Sequence, residues 1–155
     1  MNCEMIVEQL GSQEYRMRYV PESRTFVATS NKFLGYIRHF VGIYGWIVGF
    51  GTPPAEHIDV MVPTANEYSL GSTVRIRIVG CFKRSDGDDK YVAIEATRQE
   101  QTLSELPESE RLMLFRQYPD VREHGAWLEH RAASSKLQAW TSSGGTPRIE
   151  ACRRT

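Results

Sequence analysis

The sequence predicts an α+β fold, mainly β: a small barrel with helices packed on its side. Two observations predict it. The first two thirds of the 155 residues carry short runs of alternating polar and apolar side chains, broken by Gly and Pro. The last third carries helix start and stop signals instead. Short strands of this kind bury their apolar faces together by closing on one core, with helices covering the outside.

Met5–Gln9 is the first short strand candidate. Glu14–Val20 (EYRMRYV) alternates as a half-buried strand does. Pro21-Glu22-Ser23 is a turn signal, and Thr25–Thr29 is the return strand. Phe33–Ile43 is aromatic-rich and irregular, broken by Gly35 and Gly42, and Gly45–Phe50 is strand-like again. Gly51–Glu56 (GTPPAE) must be a loop, because Pro brings no N–H to a ladder. His57–Val62 resumes the strand, and Asn66–Gly71 holds a turn. Thr73–Phe82 is the longest strand, with Val74, Ile76 and Ile78 on one face and Arg75 and Arg77 on the other. Ser85–Asp89 (SDGDD) is a tight acidic turn, and Lys90–Glu95 pairs back on the strand before it.

A helix starts near Ser104-Glu105-Leu106-Pro107, with Pro tolerated at its first position. It points Leu112, Phe115 and Leu114 at the core and stops at Pro119. A second helix runs from about Leu128 to Trp140, where Trp127 and Trp140 pack helices. The polar, Ser/Gly-rich end reads as a mobile tail, giving one domain over residues 1–141 and a tail over 142–155.

Composition narrows the function. Lys+Arg and Asp+Glu balance at 19 each, so no net basic field draws the chain to nucleic acid, and any charge-based function must be local. The three cysteines show no metal-ligand spacing, and a reduced intracellular setting is their simplest reading. The first residues are not a signal peptide, and no apolar run reaches the roughly 20 residues a membrane helix needs. These observations predict a cytoplasmic protein with neither a membrane nor a nucleic-acid partner. An OB-type nucleic-acid binder gains only from the barrel shape and from exposed aromatics such as Trp46 and Tyr36, and the zero net charge and the acids argue against it.

Glu56, Asp59, Asp86, Asp88 and Asp89 lie in or beside loops at strand ends. Carboxylates brought together repel unless a cation lies between them, and hard oxygen donors select Mg²⁺, Mn²⁺ or Ca²⁺. Arg16, Lys32, Arg75, Arg77 and Lys90 are basic groups that can face the same region, and metals flanked by Lys and Arg form a phosphate receptor. Taken alone, SDGDD is an ordinary solvated turn. It is not an EF-hand, since helix–loop–helix context and the terminal Glu are missing. His57 is read as a partly buried strand residue, and the other histidines show no zinc spacing.

YGWIVGFGTPPAEHIDVMVPT and then GSTVRIRIVGCFKRSDGDDKYVAIE resemble the soluble (family I) inorganic pyrophosphatases. In that family an NYGfIp strand leads into a DGDPxDVLV loop, followed by a stretch like pGsvirxRxiGvlxmxDexxxDxK. LSELPESER resembles the family's DLPE helix start, and LFRQYPDVREHGAWL resembles its hFFexYKxlExgkWv. The resemblance runs in order over roughly residues 5–140. It implies a five-stranded closed OB-like barrel with a flanking hairpin and C-terminal helices, a homo-oligomer, Mg²⁺ with Mn²⁺ as a substitute, and pyrophosphate or phosphate as ligand.

Carried over residue by residue, Asp59 takes the place of the Asp that bridges two metals, and Glu56 that of the general base. Asp86 and Asp88 match the metal-binding pair of the next loop, where Asp89 can exchange roles with Asp88. Glu8 matches a Glu at a further metal. Lys90, Tyr44 and Tyr118 match phosphate-contacting residues, Arg16 falls near a family Lys, and Lys32 (or Ser30, with the gap placed differently) falls at a family Arg. Pro54 stands where the family has a metal-ligating Asp, and Pro119 where it has a Lys. The implied chemistry is metal-assisted hydrolysis, with the motif's second carboxylate receiving a proton from the attacking water. Two functions follow: a Mg²⁺-dependent inorganic diphosphatase with an altered site, or a pyrophosphatase-like binding or structural subunit that has lost turnover.

Overall fold

The computed structural model describes residues 1–119 and 125–142, without side chains at 125, 126, 141 and 142. Its elements are β1 (Asn2–Leu10), β2 (Tyr15–Val20), β3 (Thr25–Lys32), α1 (Leu34–Ile37), β4 (Gly42–Gly51), β5 (His57–Pro63), β6 (Thr73–Arg84), β7 (Lys90–Glu95), a 3-10 turn (Leu103–Glu105), α2 (Glu108–Gln117), β8 (Gly125–Glu129) and α3 (His130–Ser142).

Five strands close on one another. β1 pairs with β4, β4 with β5, β5 with β7, β7 with β6, and β6 returns to β1. Only β5 and β7 run parallel. Closure leaves the barrel strands no free edge against each other. β8 adds to the outside of β6, and β2–β3 form a separate hairpin. The fold is therefore the predicted five-stranded barrel with a flanking hairpin.

Alternation explains the core. Val74, Ile76 and Ile78 of β6 pack with Met5, Val7, Ile47, Val60 and Val62 in one cluster, joined by Ala133 and Leu137 of α3. Beyond Ile78 the register of β6 shifts, and Val79 turns to a second cluster with Tyr44, Met61, Val92, Leu103 and Leu114. β6 is thus buried on both faces from Ile78 to Phe82. β4 crosses β1 so closely that a Cβ on Gly45 would lie 1.8 Å from the Ile6 carbonyl oxygen. Only glycine fits there.

Several expectations need correction. The Phe33–Ile43 segment is not wholly irregular: it contains the single turn α1, and β4 begins at Gly42. A strand, β8, precedes the last helix, which starts at His130 rather than Leu128. GAWLE is short, and alone it does not register against the helical pattern after it. On α2, Leu114 is fully buried, but Leu112 and Phe115 are 55% and 37% exposed. The inward position one turn after Leu114 belongs to polar Gln117, whose Nε2 donates to the Arg38 carbonyl at 3.2 Å. Trp127 sits in β8 against Phe82, and Trp140 lies against Phe50. Trp46 is buried beneath Tyr19 and Phe26 of the hairpin, so it offers no stacking platform for a base.

Burial pushes the free Cys81 thiol up to about 12. Cys3 is disulfide-bonded, so the reading of a reduced setting does not extend to it. Among the described residues no helix is long and apolar enough to cross a membrane. The expected tail over residues 142–155 lies outside the described residues, apart from the end of α3.

Candidate active site

The parallel register of β5 and β7 sets Asp59 directly beside Lys90. Both side chains are 9% exposed, and Lys90 Nζ lies 2.5 Å from Asp59 Oδ2. The same ammonium reaches Asp88 Oδ1 at 2.9 Å, across the acidic turn between β6 and β7. Burial alone would raise the Asp59 carboxyl, but His57 and Lys90 outweigh it and lower it to about 2. His57 Nε2 lies 2.9 Å from Asp59 Oδ1, and its Nδ1 lies 2.7 Å from the Ala55 carbonyl. The Asp59 carboxylate favours the imidazolium and raises the His57 pKa against its burial. The Nε2 contact is an ion pair without hydrogen-bond alignment, since Oδ1 receives no aligned donor.

Behind Lys90 lies a cavity of about 290 Å³, lined by Arg16, Lys32, Arg38, Arg84 and Lys90 with Tyr44 and Tyr118. No Asp or Glu lines it among the described residues. Arg16 Cζ sits 5.0 Å from the Tyr44 ring centroid, and Lys90 Nζ sits 6.0 Å from it. Burial, and then the Asp59 charge, hold the Tyr44 hydroxyl well above its ordinary range, so it stays protonated as a donor. Burial does the same for Tyr118. The cavity can therefore offer five cations and two hydroxyls to an anion.

No protein-family model matches the chain. An inorganic pyrophosphatase of Yersinia pestis is 26% identical over 153 residues, covering 88% of this chain and 87% of that protein. The structure of inorganic pyrophosphatase from Thermus thermophilus superposes with a TM-score of 0.66 at 16% identity, covering 92% of this chain and 90% of the other. That from Ehrlichia chaffeensis gives 0.66 at 18% identity, covering 89% and 92%. The chain is family I inorganic pyrophosphatase-like. The sequence relative and the shared barrel agree on this.

In this pyrophosphatase-like frame, the sequence-predicted residues divide. Asp59, Asp88 and Lys90 come into contact, and Arg16, Lys32, Tyr44, Lys90 and Tyr118 share the cavity. Glu8 is buried beside them, pushed up by burial while accepting from Arg16 at 3.3 Å. Lys32 also pairs with Glu14 at 2.8 Å on the surface. Asp86 is 54% exposed and pairs with Arg84 at 3.2 Å. Asp89 does not exchange with Asp88: it accepts from the Arg84 amide at 2.8 Å and pairs with Lys136 at 2.8 Å.

Glu56 is exposed and lines a separate depression with His57, Asp88, Asp89 and Lys136. Arg75 and Arg77 do not join the cavity either. Arg77 donates to the carbonyls of Ala96, Arg98 and Glu100 at 3.2, 2.7 and 3.0 Å. Sequence reasoning missed Arg38 and Arg84. The signal for Arg84 was its place two residues before Asp86, beside a turn read only for its acids.

The donor chemistry suits a hard divalent cation, being all carboxylate, and Asp59 Oδ1 is a buried acceptor without an aligned donor. As the side chains stand, Lys90 occupies the space between Asp59 and Asp88, and no three His, Cys, Asp or Glu residues converge among those described. A divalent cation at Asp59 would take the place of Lys90 and would face His57, and no preformed multi-carboxylate cage stands among the described residues.

Proposed function

We propose that this chain hydrolyses inorganic pyrophosphate to phosphate in a Mg²⁺-dependent reaction, at a reduced rate. The observation that carries the reading is the juxtaposition of Asp59 with Lys90, which lines a cavity where the described residues present cations and tyrosine hydroxyls and no carboxylate. Asp59 and Asp88 are the residues that would hold a divalent cation, with Asp86 and Glu8 nearby. When bound, such a cation offsets phosphate charge and makes a bound water more acidic.

The chain's own residues do the rest. Lys90, Arg16 and Lys32 neutralise phosphoryl oxygens, and Tyr44 and Tyr118 donate hydroxyl hydrogen bonds to them. At about 2, the Asp59 carboxyl is ionised throughout the physiological range and suits a cation rather than a proton. Glu56 is left as the proton acceptor, yet it does not line the cavity. Misplacement by about 1 Å costs roughly 100-fold in rate, so the Glu56 geometry supports slow turnover.

The same position of Glu56, together with Lys90 lying between Asp59 and Asp88, favours a second reading: a pyrophosphatase-like binding or structural subunit without turnover. A cytoplasmic homo-oligomer belongs to the first reading. The exposed Leu34, Tyr36, Ile37 and Val41 supply apolar area for contact between copies.

Phosphate release from pyrophosphate with Mg²⁺, measured beside the Asp59→Ala variant, separates the two. Release above that variant supports hydrolysis. No release above it, with Mn²⁺ also tried, leaves the binding subunit.

A further inference from the structure

We propose that Arg84 is an anion-binding residue of this site, holding the phosphoryl group at the Tyr118 end of the cavity and resting on Asp86 when no anion is bound. The inference builds on the phosphate-binding reading above.

Lys90, Arg16 and Tyr44 hold one end of the cavity together. At the other end stands Tyr118, followed by Pro119, which brings no charge. Among the described residues, Arg38 and Arg84 supply cations there. Arg38 is committed: its guanidinium donates to the Gln117 carbonyl, and the Gln117 amide donates back to the Arg38 carbonyl at 3.2 Å. That reciprocal pair ties α1 to the end of α2.

Arg84 is held differently. Its backbone is pinned at the end of β6, where its amide donates to Asp89 Oδ1 at 2.8 Å, and Asp89 is itself tied to Lys136. Its guanidinium is not pinned. Cζ lies 6.0 Å from the Tyr118 ring centroid, and the group's ion pair is with Asp86 at 3.2 Å. Arg84 is 36% and Asp86 54% exposed, so this pair is weak and readily exchanged. A planar guanidinium gains more from two phosphoryl oxygens than from one exposed carboxylate oxygen. Arg84 also lines the adjoining depression with Asp86, Arg38 and Tyr118. It therefore stands where an anion in the cavity and Asp86 compete for it. Capture of the anion by Arg84 leaves Asp86 unpaired.

The test is calorimetric binding of methylenediphosphonate to the metal-free protein in EDTA, which reads anion binding without turnover. Arg84→Met should weaken binding about 10-fold, the value of one charged hydrogen-bonded contact, and Arg84→Lys should recover part of that loss. Asp86→Asn should tighten binding by about 2- to 5-fold, since it removes the competitor. A merely structural Arg84 would not produce this opposite pair of signs. Circular dichroism and melting establish that each variant folds. Unchanged binding in Arg84→Met, or weaker binding in Asp86→Asn, overturns the proposal. Lys90→Met separates the two levels of the reading. If it weakens binding while Arg84→Met does not, Arg84 alone is misassigned. If neither variant changes binding, the cavity is not the phosphate site.

Discussion

Replacing Lys90 with Met tests the electrostatics on which the site rests. The substitution keeps an unbranched apolar stem and removes the ammonium that lies 2.5 Å from Asp59 and 2.9 Å from Asp88. Asp88 is 61% exposed, so water replaces Lys90 there at little cost. Asp59 is 9% exposed and loses a buried partner. Breaking a buried pair on one side costs about 3–5 kcal/mol. His57 still lies 2.9 Å from Asp59, which places the expectation at the lower end, about 3 kcal/mol.

The depressed carboxyl gives a smaller figure for Lys90, because His57 shares in it. A carboxyl held at about 2, against roughly 3.9 unfolded, contributes about 2–3 kcal/mol at neutral pH, shared between His57 and Lys90. Because the folded pKa is depressed, this stability is present above the unfolded value and is lost as pH falls through the folded one. Urea denaturation in EDTA at pH 7 should show the deficit, with a melting temperature lower by about 6–12 °C. The deficit should shrink near pH 3, where the carboxyl of the unfolded chain is largely protonated and the pair contributes less. A loss below about 1 kcal/mol, or one of equal size at both pH values, would refute the reasoning.

Three further outcomes follow from the fold. Gly45→Ala places a methyl against the Ile6 carbonyl and should cost about 1–3 kcal/mol or more by chemical denaturation. Leu114→Ala should cost about 2–5 kcal/mol, while Leu112→Ala on the exposed face should stay within about 0.5 kcal/mol, and equal losses would contradict the inward face of α2. Burial would raise the Glu95 carboxyl, but hydrogen bonds from Tyr68, Asn66 and Thr64 outweigh it and lower it. Its contribution is therefore present above roughly pH 4.3 and lost as pH falls through the folded value, so the stability gap between the natural chain and Glu95→Gln should close in acid titration.

The barrel was legible because its strands keep the two-residue period: Val74, Ile76 and Ile78 face inward as their alternation requires. The second half of β6 was less so, because a register shift after Ile78 buries both faces. α2 was misread where four successive apolar residues, Leu112 to Phe115, gave no phase, and the phase is set by Gln117 bonding to the Arg38 carbonyl. At the site, residues joined by strand register were legible, as Asp59 and Lys90 show. Residues meeting through separate elements were not. Arg38 follows the end of α1 and Arg84 ends β6, and no local spacing links them. Glu56 shows the converse: it immediately precedes a correctly placed strand, and its side chain still faces a different depression.

The most direct measurement is a crystal structure of the protein with Mg²⁺ and methylenediphosphonate. The result expected is diphosphonate in the cavity, against Tyr44, Arg16 and Lys90, with Mg²⁺ on Asp59. Diphosphonate bound elsewhere, or Mg²⁺ absent from Asp59 while the anion is bound, would contradict a single metal–phosphate site.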